Sequence, residues 1–145
     1  MRHLLFVIFL IALPARAAMA EEAPGLEILQ AGTHQLDEFL WTARPLVIFA
    51  DTPRDPRFVQ QMEFIDERPE DLAARDVVVI IDTAPKARSP IREALRPRGF
   101  DLVLIGKDGF IYLRKPQPWS VREITRSIDK MPIRQEEMRA ERGLQ

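Results

Sequence analysis

The chain has 145 residues, 46% of them apolar, which suits one domain with one core and is too few for two. It has no cysteine, which excludes thiol catalysis, disulfides, thiolate metal sites and iron–sulfur ligation, and its two histidines, His3 and His34, exclude a histidine-rich metal centre. The formal charge of −1 becomes −3 once residues 1–20, which hold Arg2 and Arg16 and no acid, are set aside. That leaves no net basicity to attract nucleic acid.

Met1-Arg2-His3 is a short basic start, residues 4–13 (LLFVIFLIAL) are an unbroken apolar run, and Ala18-Met19-Ala20 supplies small residues for cleavage. This is the pattern of a secretory signal peptide over residues 1–20. Ten apolar residues span about 15 Å as a helix, half a hydrocarbon core, so a membrane anchor fits less well. Without a cysteine after the leader, lipoprotein attachment is excluded. The expected compartment is the periplasm or the outside of the cell, with no membrane association after cleavage.

Residues 21–32 read as a linker whose 26–29 stretch (LEIL) can add an edge strand. Thr33 can cap a helix running to about Trp41, with Leu36, Phe39 and Leu40 on one face. Residues 45–50 (PLVIFA) form a continuous apolar run, the mark of a strand buried on both faces. After the turn-rich residues 51–57 (DTPRDPR), Asp55 followed by Pro56 starts a helix to about Arg68, with Phe58, Met62 and Ile65 inward. Residues 76–82 (DVVVIID) are a second doubly buried strand, and Ser89-Pro90 opens a helix that ends near Arg96-Pro97. Residues 100–105 (FDLVLI) are a third strand, turned back by Lys107-Asp108-Gly109 into residues 110–113 (FIYL). Val121, Ile124, Ile128 and Met131 place a last helix over residues 119–131. The domain is thus expected over residues 33–133, and residues 134–145 read as a charged tail, a frayed helix or disordered.

A β-α-β half followed by a hairpin and a helix resembles the thioredoxin layout: an α/β three-layer sandwich, a central mixed sheet with helices on both faces. Arg54-Asp55-Pro56-Arg57 stands where thioredoxins carry Cys-x-x-Cys, and Asp101 stands where they carry a cis-proline. Disulfide exchange and thiol peroxidase chemistry both need a cysteine thiolate and are excluded. A closer resemblance is to the domain-of-unknown-function 4174 family, thioredoxin- or peroxiredoxin-like. It is carried by residues 44–50 (RPLVIFA), Asp55-Pro56-Arg57-Phe58 with Gln60-Gln61, residues 104–109 (LIGKDG), and residues 128–134 (IDKMPIR) with Glu137-Met138. The resemblance implies a fold and, from the small exported proteins among its bacterial members, a compartment. It implies no catalytic residue.

The 51–57 loop follows a central strand and opens a helix, the place where α/β sheets bind ligands. Free N–H groups there favour an anion, with Arg54 and Arg57 as donors and the Thr52 hydroxyl as a helper. The plainer reading is that Asp55 fills the anion position as a helix cap while the arginines are solvated. Asp101 is expected beside this loop, paired with Arg54 or Arg57 or acting as an acid–base group. The candidate ligand-binding residues are therefore Thr52, Arg54, Asp55, Arg57 and Asp101, with no metal site and no cofactor expected. His34 reads as a surface residue, and the acidic pairs (Asp66-Glu67, Glu70-Asp71, Glu136-Glu137) lack a calcium-loop pattern.

Three functions fit this reading. The first is a redox-inactive binding or adaptor module of the cell envelope that holds an envelope protein or a small anion. The second is an acid–base enzyme using Asp101 with Arg54 and Arg57. The third is an accessory protein in oxidative-stress defence. No oligomeric state follows from the sequence.

Overall fold

A computed structural model describes residues 25–144. The expected signal peptide lies outside the described residues. Five strands form one sheet in the order β1-β3-β2-β4-β5. β1 (Glu27–Gln30), β2 (Arg44–Phe49) and β3 (Val77–Asp82) run parallel, while β4 (Asp101–Ile105) and β5 (Ile111–Lys115) return antiparallel. Every residue of β2, β3 and β4 is buried, as their unbroken apolar runs require.

Five helices cover the sheet: α1 (Pro56–Glu67), α2 (Pro69–Ala73), α3 (Pro90–Leu95), α4 (Val121–Asp129) and α5 (Pro132–Gly143). Leu46, Ile48, Leu102 and Leu104 face one way, onto Ile65 of α1, Leu72 of α2, and Ile124 and Ile128 of α4. Val47, Phe49, Ile80 and Val103 face the other way, onto Ile91 and Leu95 of α3. The fold is the expected mixed α/β sandwich. Its helix starts follow the expected chemistry: Asp55 accepts from Arg57 N–H at 2.9 Å and Ser89 from Arg92 N–H at 3.1 Å.

Two expectations need correction. Residues 33–41 do not form an α-helix capped by Thr33; they hold a single 3-10 turn, Leu36–Phe39, preceded by Gln35 in extended backbone. Trp41 takes a positive φ of 62° and its N–H donates to Lys107 C=O at 2.8 Å, which ends helical propagation there. The 134–145 segment is not a loose tail. Residues 134–143 lie in α5, and Arg134 is buried.

Charge rather than apolar surface docks α5. Arg44, at the start of β2, is 0% exposed. Its guanidinium donates to Arg75 C=O at 2.9 Å and to both Glu137 oxygens at 3.1 Å. Lys107 bridges Glu137 and Asp76, each at 2.8 Å. Arg75 grips Asp129 with two donors at 2.9 Å, and Arg134 reaches Glu137 at 3.3 Å. Burial raises the Glu137 pKa, but Lys107 and Arg44 outweigh it and hold the group below its ordinary 4.5. The hydrogen bond from Arg75 holds Asp129 below its ordinary 3.8.

Both carboxyls therefore titrate lower in the folded chain than in the unfolded one. Their contribution is complete above the unfolded values and is lost as pH falls through them toward the folded ones. The urea midpoint is expected to drop below about pH 4.5. Glu137→Gln should flatten that acid limb and lower stability at pH 7 by about 3 kcal/mol, because Arg44 stays buried without its counter-ion. An unchanged midpoint at pH 7 would show that α5 docking does not depend on the pair.

Candidate functional site

The carboxyl ends of β2 and β3 and the start of β4 meet at one end of the sheet, where the 51–57 loop emerges. Pairing aligns Phe49 with Asp82 on one side and with Asp101 on the other. All three side chains share the α3 face. Asp82 is buried; it accepts from Ser89 Oγ at 2.6 Å and from Arg92 at 2.9 Å, and the Arg92 guanidinium lies 5.2 Å from the Phe49 ring centroid. Burial raises the Asp82 pKa, but bonds from Arg92, Ser89 and Ala84 N–H leave it below the usual carboxylate range. Asp82 is thereby a structural anion that fixes α3.

Asp101 is 7% exposed and pairs with Arg114 of β5, whose Nε donates to Asp101 Oδ2 at 2.8 Å and whose Nη2 donates to Leu95 C=O at 2.7 Å. The expected pairing of Asp101 with Arg54 or Arg57 does not occur. Side chains alternate along a strand. Asp101 points with Val103 toward α3, whereas Phe100 points toward α1, where Arg57 lies.

In the loop, Arg57 donates to Asp55 through Nε at 3.1 Å and Nη2 at 2.8 Å, so its planar donors are engaged. The hydrogen bond from Arg57 holds Asp55 below its ordinary value. The Arg57 guanidinium also lies 5.7 Å from the Phe100 ring centroid. Thr52 Oγ1 accepts from Arg54 N–H at 3.3 Å, and the Arg54 side chain is exposed. Asp55 thus holds the cap position that an external anion would have used. Of the five expected residues, Arg57 and Asp101 flank Phe100 from opposite faces, while Thr52 and Arg54 stand outside.

Next to them opens a cleft of about 520 Å³, lined by Leu95, Arg96, Arg98, Phe100, Asp101 and Arg114, with Pro116 at its edge. Arg114 is neutralised by Asp101. Arg96 and Arg98 are exposed and have no carboxylate within ion-pair distance among the described residues. The cleft therefore carries unmatched positive charge. Arg96 sits at the end of α3 with φ 47°, a left-handed conformation for which glycine is the common choice. An arginine there costs stability and sets a cationic side chain at the cleft.

Sequence reading missed Arg96, Arg98 and Arg114. Two signals pointed to them: the R-P-R-G run entering β4, and the turn at Lys107-Asp108-Gly109, whose register places Arg114 opposite Val103 and diagonal to Asp101. Arg114 approaches the single oxygen Asp101 Oδ2 with both Nε and Nη2, which ties the carboxylate to β5. Among the described residues no group of three or more metal-ligating side chains converges, and no helix is long and apolar enough to cross a membrane.

Fold and composition define a cysteine-free, thioredoxin-like protein with a basic cleft beside β4. The chain belongs to the family described as Domain of unknown function (DUF4174), whose model matches residues 35–137. Its fold is similar to that of the reduced 2-Cys peroxiredoxin of Plasmodium vivax, with a TM-score of 0.53 and 16% identity over 71% of this chain and 84% of that one. Plasmodium yoelii Prx1a modified at its N-terminus and Plasmodium yoelii thioredoxin peroxidase I align at TM-score 0.46 and 17% identity, each over 65% of this chain and over 76% and 75% of theirs. No curated protein matches the chain. The likeness is one of fold, and the sulfur chemistry those names state has no counterpart in a chain without cysteine.

Arg114→Ala is expected to destabilise the fold by about 2 kcal/mol, since it strands the nearly buried Asp101 carboxylate. Arg96→Gly should do the reverse and stabilise by about 1 kcal/mol through relief of the left-handed backbone. Urea titrations of the two variants beside the parent check both signs. A destabilising Arg96→Gly would mean the arginine holds the fold rather than serving the cleft.

Proposed function

We propose that this chain is an exported, redox-inactive binding module of the cell envelope whose cleft between α3, β4 and β5 takes an anionic group, a carboxylate or phosphate, on a small molecule or a partner protein. The observation that carries this reading is the unmatched charge of Arg96 and Arg98 at the mouth of the cleft, with Arg96 held in a costly backbone conformation. Guanidinium groups suit planar, bidentate recognition of oxyanions. The leader pattern over residues 1–20 supports export. The absence of any thiol supports binding rather than redox turnover. The mutual pairing of Asp55 and Arg57 supports this cleft over the 51–57 loop as the place for the anion.

Calorimetric titration with succinate and with inorganic phosphate tests the cleft. Binding is expected to weaken about tenfold in Arg98→Ala, the loss of one charge-assisted hydrogen bond. It should also fall with rising salt. Failure of both anions to bind, or binding indifferent to Arg98→Ala, removes the cleft as a site. N-terminal sequencing of protein recovered from the periplasm should begin at Glu21, and recovery of an intact Met1 in the cytoplasm would refute export.

A further inference from the structure

β5 pairs with β4 on one side and has no strand on the other among the described residues. At its start stand exposed apolar side chains: Phe110 is 69% exposed and Ile111 49%. Trp41, 68% exposed, is fastened to the same hairpin by its N–H bond to Lys107 C=O, and Leu40 lies against the hairpin turn at Gly109. At its end the strand runs through Arg114 into Pro116, both of which line the basic cleft. An open backbone edge thus connects an apolar patch to a cationic one.

We infer that β5 is a docking edge for an extended peptide segment, apolar at one end and acidic at the other. The segment adds a strand beside β5, sets its acidic end against Arg96 and Arg98, and lays its apolar end on Trp41 and Phe110. This inference rests on the anionic reading of the cleft and names its partner. The edge supplies unpaired N–H and C=O groups, so the main chain of the segment gives affinity without sequence. Sequence preference comes from the two ends, about 17 Å apart along a five-residue strand. Charge complementarity selects an acidic segment over a second copy of the chain. A two-fold pairing about Leu113 sets Arg114 opposite Tyr112 and Lys115 opposite Ile111, so within the strand no carboxylate meets either cation.

The test uses a peptide of about seven residues, alternating valine and threonine, with leucine at one end and two acidic residues at the other, made in both sequence orders. Calorimetry with the full mature chain compares the tighter of the two with three controls: its version with amides in place of the acids, its version methylated on alternate backbone nitrogens, and succinate. The acidic peptide is expected to bind at least about tenfold tighter than succinate and to lose about tenfold on N-methylation of one alternate set, on amide replacement, and in Arg98→Ala. Amide resonances of residues 110–115 should shift on binding. Because N-methylation alters the peptide and not the protein, no folding defect can mimic the result. If succinate binds in the cleft and the peptide binds no tighter, the docking edge is overturned and the anionic cleft stands. If neither binds, the cleft reading fails first. A dimer in sedimentation that Tyr112→Pro dissolves would assign the edge to a second copy and overturn the peptide.

Discussion

The guanidinium of Arg44, buried at the start of the central strand, sets the terms for one whole end of the molecule. A buried charge without a counter-ion is strongly destabilising, so a carboxylate must be delivered to it. Glu137 of α5 does this, which obliges α5 to fold back to the start of β2. Lys107 then joins through Glu137 and Asp76, and Arg75 with Asp129 fastens α4 beside them. The hairpin turn, the loop before β3 and the last two helices are thereby fixed in one charged cluster. The segments that carry the family resemblance in the sequence include Arg44, Lys107, Asp129, Arg134 and Glu137. In three dimensions these residues meet, so that part of the resemblance reports a network that closes the fold, away from the cleft.

At the opposite end the same chemistry is left unfinished. Asp82 with Arg92, and Asp101 with Arg114, flank Phe49 as two satisfied pairs. Beyond them Arg96 and Arg98 have no acid, and the cleft they line is open. This is the end of the sheet at which β2 and β3 deliver their carboxyl ends. With no cysteine in the chain, this end offers shape and positive charge.

Much of this was legible before any coordinates. The unbroken apolar runs of β2, β3 and β4 announced strands buried on both faces, and Asp55-Pro56 and Ser89-Pro90 announced helix starts. The Asp108-Gly109 turn announced the hairpin, and Gly109 takes the positive φ of 84° that such a turn uses. The segment around residues 33–41 misled because helical spacing of three apolar residues cannot foresee the left-handed Trp41 that stops propagation. Residues 134–145 misled because periodicity counts apolar faces, and α5 is held by ion pairs. At the site, Asp55 as a cap was legible, whereas the partner of Asp101 was not.

The sequence by itself determined the class of fold, the absence of cysteine chemistry and the local caps and turns, since these follow from composition, from periodicities of two and 3.6 residues, and from neighbours a few positions apart. Tertiary structure alone decided which charges meet. Whether Asp101 faces Arg57 or Arg114, and whether Glu137 is solvated or half-buried against Arg44, depends on strand register and on which side of the sheet a side chain leaves. Those are properties of pairing between distant segments, and a one-residue change of register would reverse them.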